Sequence, residues 1–340
     1  MRTVLRWMMA LLFSAQLASA ADPGLHVIKT VKLGGEGGWD YLKMDSDGRR
    51  LFISRATHVI AIDADSLQPV GDIPDTPGVH GIALAPEFGR GFTSNGREGT
   101  VTIFDLKTLK VISKIKDVGD NPDAILYDPG SKRVFTFNGR SHDATAIDPE
   151  AGTVVGKIPL DGKPEFAVST TRGEVFVNIE DKSELVALDP KQLKVKSRWP
   201  LAPCEEPSGL AIDAENRRLF AGCDNQKMAV VNADTGKVIT TLPIGRGVDA
   251  NRYDPDTHLA FASCGEGMLT VVEEQSADQF SVVETVPTER GARTMALDHK
   301  THQVYLVTAK FGPAPAPTAG QPRPRPAIVP DSFEVLVVGK

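Results

Sequence analysis

The chain has 340 residues, 38 basic and 44 acidic side chains and a formal charge of −6, a mildly acidic balance with no general attraction for nucleic acid or an anionic membrane. Aromatic residues make up only 6%, too few for a base-stacking platform, and no phosphate loop, hydrolase elbow or nucleic-acid module occurs. The length would allow two ordinary domains, so the internal organisation has to decide.

Residues 1–20, "MRTVLRWMMALLFSAQLASA", combine Arg2 and Arg6, a short apolar stretch and the small residues Ala18, Ser19 and Ala20. This is the pattern of a secretory signal peptide cleaved after Ala20, which predicts a periplasmic or secreted protein. Cleavage removes two of the 38 basic residues and no acid, leaving 36 against 44 and a charge of −8 over residues 21–340. No later run has the length of a membrane span. A strand is expected at 26–33, "HVIKTVKL".

Seven copies of one unit follow. Each opens with a short apolar strand, a polar turn and a second apolar strand, as in "HGIALAPEFGRGFTSN" or "PSGLAIDAENRRLFAGC". A third strand ends on Asp63, Asp105, Asp148, Asp189, Asn232 or Glu273, residue types that satisfy the backbone of a tight turn. A fourth, such as "GKVITTLPI", completes most copies. The first-hairpin turns fall at Asp45, Ala85, Asp128, Thr170, Asp213, Asp254 and Asp298, spaced by 40, 43, 42, 43, 41 and 44 residues. Four strands recurring every ~40–45 residues mark β-propeller blades. The expected fold is therefore all-β, a single seven-bladed propeller over residues 21–340. The seventh unit has only three strands, so the N-terminal strand is expected to complete it and leave no open edge.

The second strands "GFTSN" (91–95), "VFTFN" (134–138) and "VFVN" (175–178) resemble the repeat of the YVTN-type, or YncE-like, propellers. The resemblance implies a seven-bladed, exported protein. Its family includes binding, lyase-like and unassigned members, so it implies no single chemistry. Copies five and six carry Cys223 and Cys264 where Asn95 and Asn138 stand in copies two and three.

In a blade the start of the first strand and the end of the second meet on one face, termed the top here. This geometry brings Cys204, just before the first strand of blade five, to Cys223. In an oxidising compartment the pair reads as a disulfide, with a Cys204–Cys264 bridge as the alternative. No spacing suits a zinc site, and no histidine in blade five suits a cysteine nucleophile.

Five residues before each turn stand Asp40, His80, Asp123, Glu165, Ser208, Asp249 and Arg293. Sharing one position in seven blades, they are expected to ring the channel mouth, with charge −3 when the histidine is neutral. Crowded carboxylates share protons or recruit a cation. Asn-Gly-Arg at 95–97 and 138–140 places Arg97 and Arg140 in the loops above, with Arg55 nearby and with His58 and His142 in the same loops, so that His58, His80 and His142 are expected to gather over blades one to three. Asp40, His80, Asp123 and His142, with Asp143 beside them, are candidate ligands for a divalent metal ion. The arginines point instead to an anionic group. Residues His258, His299 and His302 fall in opposite-face turns, where turn chemistry is expected.

Blade seven has a proline-rich insertion, residues 311–332, expected to form a polyproline-like top-face lid or a docking strip with Arg323 and Arg325. The function expected is a binding or scaffold protein whose mouth (Asp40, His80, Asp123, Glu165, Asp249, Arg293, Arg97, Arg140) engages a small polar ligand, metal ion or protein partner. A metal-assisted lyase or lactonase with His80 or His142 as base is the alternative.

Overall fold

The computed structural model describes residues 23–170, 172–316 and 326–340. The expected signal peptide, 1–20, and the middle of the proline-rich insertion with Arg323 and Arg325 lie outside these residues. Among the described residues no helix is long and apolar enough to cross a membrane.

Seven four-stranded antiparallel sheets follow one another along the chain. Their innermost strands are Leu42–Asp45, Val79–Ala85, Pro122–Asp128, Pro164–Thr170, Pro207–Asp213, Val248–Asp254 and Met295–Asp298. Each packs beside its counterpart in the next blade, and the last packs beside the first, so the ring is closed. The seventh sheet is completed by His26–Lys32, paired antiparallel to Glu334–Gly339. This is the closure expected from the spare N-terminal strand, one residue shorter than read. It removes the unpaired edge that would otherwise template aggregation.

Each second strand carries an aromatic ring seven residues after the hairpin turn, or six in blade four: Phe52, Phe92, Phe135, Phe176, Phe220, Phe261 and Tyr305. All are at most 2% exposed. They wedge between neighbouring sheets, and burying each contributes roughly 2 kcal/mol. The polar residues at the strand ends do the expected turn work. Asp63 accepts from the Ser66 amide at 2.8 Å and Asp105 from the Thr108 amide at 2.7 Å. Asp148, Asp189 and Asn232 cap the same way. Glu273 does not, because its strand continues to Ser276.

Cys204 and Cys223 form a disulfide with Cα atoms 5.7 Å apart, leaving Cys264 free and buried. In blade two, Asn95 at the equivalent position donates to Thr100 at 3.1 Å and Thr102 at 2.9 Å, knitting the second strand to the third. In blade three, Asn138 donates to the Val118 carbonyl at 2.8 Å and to Thr145 at 3.0 Å. Blade five replaces that network with a covalent tie.

Candidate functional site at the channel mouth

The seven ring positions divide into three groups. On blades one to three, His80 Nδ1 lies 2.6 Å from Asp40 Oδ2 and 3.6 Å from Asp123 Oδ1. On blade four, Glu165 pairs with Lys163 at 2.8 Å, and Lys163 also reaches Glu180. On blades five to seven, Asp249 forms an ion pair with Arg293 Nε at 3.2 Å and accepts a hydrogen bond from Ser208 Oγ at 3.3 Å. One cation or hydroxyl thus serves each carboxylate group, and no carboxylate of the ring stands alone.

Second-strand side chains hold these positions from behind. The Ser54 hydroxyl accepts from the Asp40 amide at 3.0 Å. The Ser94 hydroxyl accepts from the Gly81 amide at 2.9 Å and donates to the Asp123 carbonyl of the next blade. Asn178 donates to the Ser208 carbonyl at 2.9 Å, and Ser263 donates to the Arg293 carbonyl. Gly96 fixes the imidazole: a Cβ there would stand 2.7 Å from His80 Cδ2 and Nε2. The glycine of Asn-Gly-Arg therefore serves the ring by letting His80 lie flat against the loop, with Nδ1 toward the acids. Lys163, Glu180, Gly96 and the serines were not read from sequence. Their signals are modest: Lys163 two residues before a ring acid, and small polar residues next to last in the second strands.

Below the ring, Tyr41 and Phe166 from opposite sides of the channel stack at 4.5 Å between ring centroids. This aromatic floor keeps solvent from the underside of the carboxylates. Burial would push the His80 imidazole down, but the hydrogen bond to Asp40 and the charges of Asp123, Asp40 and Glu165 raise it to about 9. Burial raises Asp123 to about 6 against the opposing pull of His80. It raises Glu165 to about 8, helped by Asp123 and opposed by Lys163, and Asp249 to about 6 against Arg293. At neutral pH the mouth therefore holds more protons than its residue types would in water.

The loop residues fare differently. His142 sits in an exposed turn with a left-handed backbone, φ 55°, and among the described residues it does not join the Asp40, His80 and Asp123 group. His58 Nε2 turns toward Asp72 in the outer strand, 3.7 Å away. The three histidines expected to gather over blades one to three do not gather, because the loops after the second strand direct their side chains outward. Arg97 and Arg140 are exposed on the top loops, and Arg97 lines a groove with Lys114, Lys116 and Lys157 between blades two and three. Arg55 is buried over the Phe333 ring at 3.7 Å. On the opposite face, His302 pairs with Asp254 at 2.8 Å, in line with turn chemistry.

A divalent ion is compatible with the first group. Its three ligand atoms lie within 4.8 Å of one another, so one ion can reach an imidazole nitrogen and two carboxylate oxygens at the usual 2.0–2.2 Å. This nitrogen and oxygen set suits first-row divalent metals. The proton on His80 must leave first.

No protein-family model matches the chain. Over 251 residues the chain is 23% identical to the dihydro-heme d1 dehydrogenase of Pseudomonas aeruginosa, covering 69% of this chain and 50% of that protein. It is 20% identical over 173 residues to the uncharacterized protein YncE of Salmonella typhi, covering 49% and 48%. The chain thus spans about half the length of the curated relatives it matches. Among solved structures it superposes on hydrazine synthase of Kuenenia stuttgartiensis with a TM-score of 0.68 at 17% identity, covering 79% of this chain and 92% of that one. U3-55K gives a TM-score of 0.74 at 9% identity, covering 92% and 98%. These likenesses show the propeller fold alone. The YncE-like resemblance carried by the second strands agrees with the curated relatives.

Proposed function

We propose that the protein is an exported propeller scaffold that binds a divalent metal ion, or a small polar ligand coordinated through one, at the Asp40, His80 and Asp123 mouth. The observation that carries this reading is the convergence of one imidazole and two carboxylates from three consecutive blades, with the imidazole held in place by Gly96. Export is supported by the signal-like residues 1–20 and by the Cys204–Cys223 disulfide, which persists in oxidising compartments. The Lys163, Glu165 and Glu180 group and the Asp249 and Arg293 pair supply polar edges for whatever the ion carries. A base role for His80 in a lyase or lactonase asks for a neutral imidazole, whereas this one holds its proton near neutral pH.

Equilibrium dialysis of the mature protein against zinc, cobalt or manganese tests the reading. One ion should be retained per chain, with affinity falling at least about tenfold in His80→Ala and in Asp123→Asn. The opposite-face variant His258→Ala serves as a control, as does His302→Ala, because Asp254, Asp256 and His302 form a second group of three possible ligands that would lose its ion in that variant. Equal loss in the controls, or no retention by the wild type, would overturn it.

A further inference from the structure

Beneath the aromatic floor the channel widens into a cavity of about 340 Å³, walled by the innermost strands of all seven blades. Its charged lining is one-sided. Lys43, Arg252 and His299 contribute nitrogen bases, and no aspartate or glutamate lines it. Lys43 and Arg252 occupy the same level, three residues beyond the mouth positions Asp40 and Asp249. The corresponding residues Ala83, Ala211 and Ala296 are small, which leaves room between the two cations.

Nearby acids are committed elsewhere. Asp45 pairs with Arg50 at 3.1 Å, Asp298 with Arg49 at 2.5 Å and Asp254 with His302 at 2.8 Å. Among the described residues Lys43 makes no ion pair. Arg252 donates to the adjacent Asn251 carbonyl at 2.7 Å and lies over the Phe166 ring at 5.4 Å. Tyr41, 9% exposed, is among the cavity-lining residues, and its buried hydroxyl has no hydrogen-bond partner. Lys43 is exposed to the channel space and Arg252 is half-buried beside it, and two cations lining one channel without a carboxylate between them repel each other. Burial and the neighbouring Arg252 pull the Lys43 ammonium down to about 8, and burial pulls Arg252 down to about 10. An anion seated between the two would relieve that repulsion and hold both side chains charged.

We propose that this cavity binds one small oxyanion, a phosphate or a carboxylate, between Lys43 and Arg252 with the Tyr41 hydroxyl as a further donor. A guanidinium, an ammonium and a hydroxyl offer the convergent charged donors that such oxygens take. The site is separate from the metal group at the mouth and bears opposite charge. Cation and anion sites thus stand on either side of the Tyr41 and Phe166 floor.

Calorimetric titration of the metal-free mature protein with inorganic phosphate and, separately, with succinate tests the site. One-to-one binding of either probe is expected, at least about tenfold weaker in Lys43→Met and in Arg252→Met, and within about twofold of wild type in the exposed control Lys300→Met. The tighter probe separates a phosphate from a carboxylate ligand. If Lys43→Met does not fold, Lys43→Arg keeps the charge and should retain binding, while Lys43→Gln should lose it. Absence of saturable binding with both probes overturns the proposal, as does equal weakening in Lys300→Met or full binding in Lys43→Met.

Discussion

Replacing Asp40 with Asn removes the partner that holds the His80 proton. In the wild type the imidazole is carried from 6.5 to about 9 against the downward pull of burial, a preference for its charged form of about 3 kcal/mol at about 1.4 kcal/mol per pH unit. Solvent at the 28% exposed side chain trims that figure. Asp40 supplies the 2.6 Å hydrogen bond and one of the nearby charges, whereas Asp123 stands 3.6 Å away. In Asp40→Asn burial meets weaker opposition, and the His80 pKa should fall to about 7 or below. Heteronuclear NMR on protein labelled at histidine reads it directly.

The same groups set a stability profile. A histidine whose folded pKa is raised stabilises fully below its unfolded value of 6.5, and that contribution is lost as pH climbs toward about 9. Glu165, raised to about 8, adds a loss in the same direction. Lys43, lowered to about 8, adds stability only as pH rises from there toward 10.5. Melting temperature should therefore fall between pH 6.5 and 8, less steeply in Asp40→Asn. A wild-type His80 titrating at 6.5, one indifferent to Asp40→Asn, or a melting temperature that rises across this window would refute the reasoning.

Further outcomes are expected. Cys223→Ser opens a bridge between residues 19 apart and should cost about 3 kcal/mol by the loop-entropy relation, measured by denaturant unfolding; Cys264, buried with its thiol raised to about 12, should stay unreactive to thiol reagents until the protein unfolds. Deleting residues 26–32 strips the outer strand from blade seven and should lower the melting temperature and promote association, read by calorimetry and light scattering. Gly96→Ala drives a methyl into the imidazole and should weaken metal binding about as much as His80→Ala, with circular dichroism reporting an intact fold.

What the sequence conveyed reflects how tightly spacing constrains geometry. Seven hairpin turns in register place seven residues at one height, so the shared depth of Asp40, His80 and Asp123 followed from counting. The disulfide was legible for the same reason, since strand ends meet on one face. Loop side chains escape such counting: His58 and His142 share a loop position with neighbours of the mouth, yet outer-strand contacts and a left-handed turn carry them away. The splitting of the ring into three groups was also hidden, because Lys163 and Glu180 lie off the repeat position and Lys163 reaches Glu165 and Glu180 only through side-chain length. The cavity cations carry no sequence signal, because Lys43 and Arg252 are isolated in the chain and come to one channel only when the ring closes.

The most direct measurement is calorimetric titration of residues 21–340 with cobalt at pH 7.5 in two buffers of different ionisation enthalpy. Because His80 holds its proton against Asp40 at this pH, binding at the mouth must displace it, and about one proton should be released per ion bound. The release should vanish in His80→Ala together with most of the affinity. Binding with no proton release, binding unchanged in His80→Ala, or no binding at all would contradict the assignment of the channel mouth as the functional site.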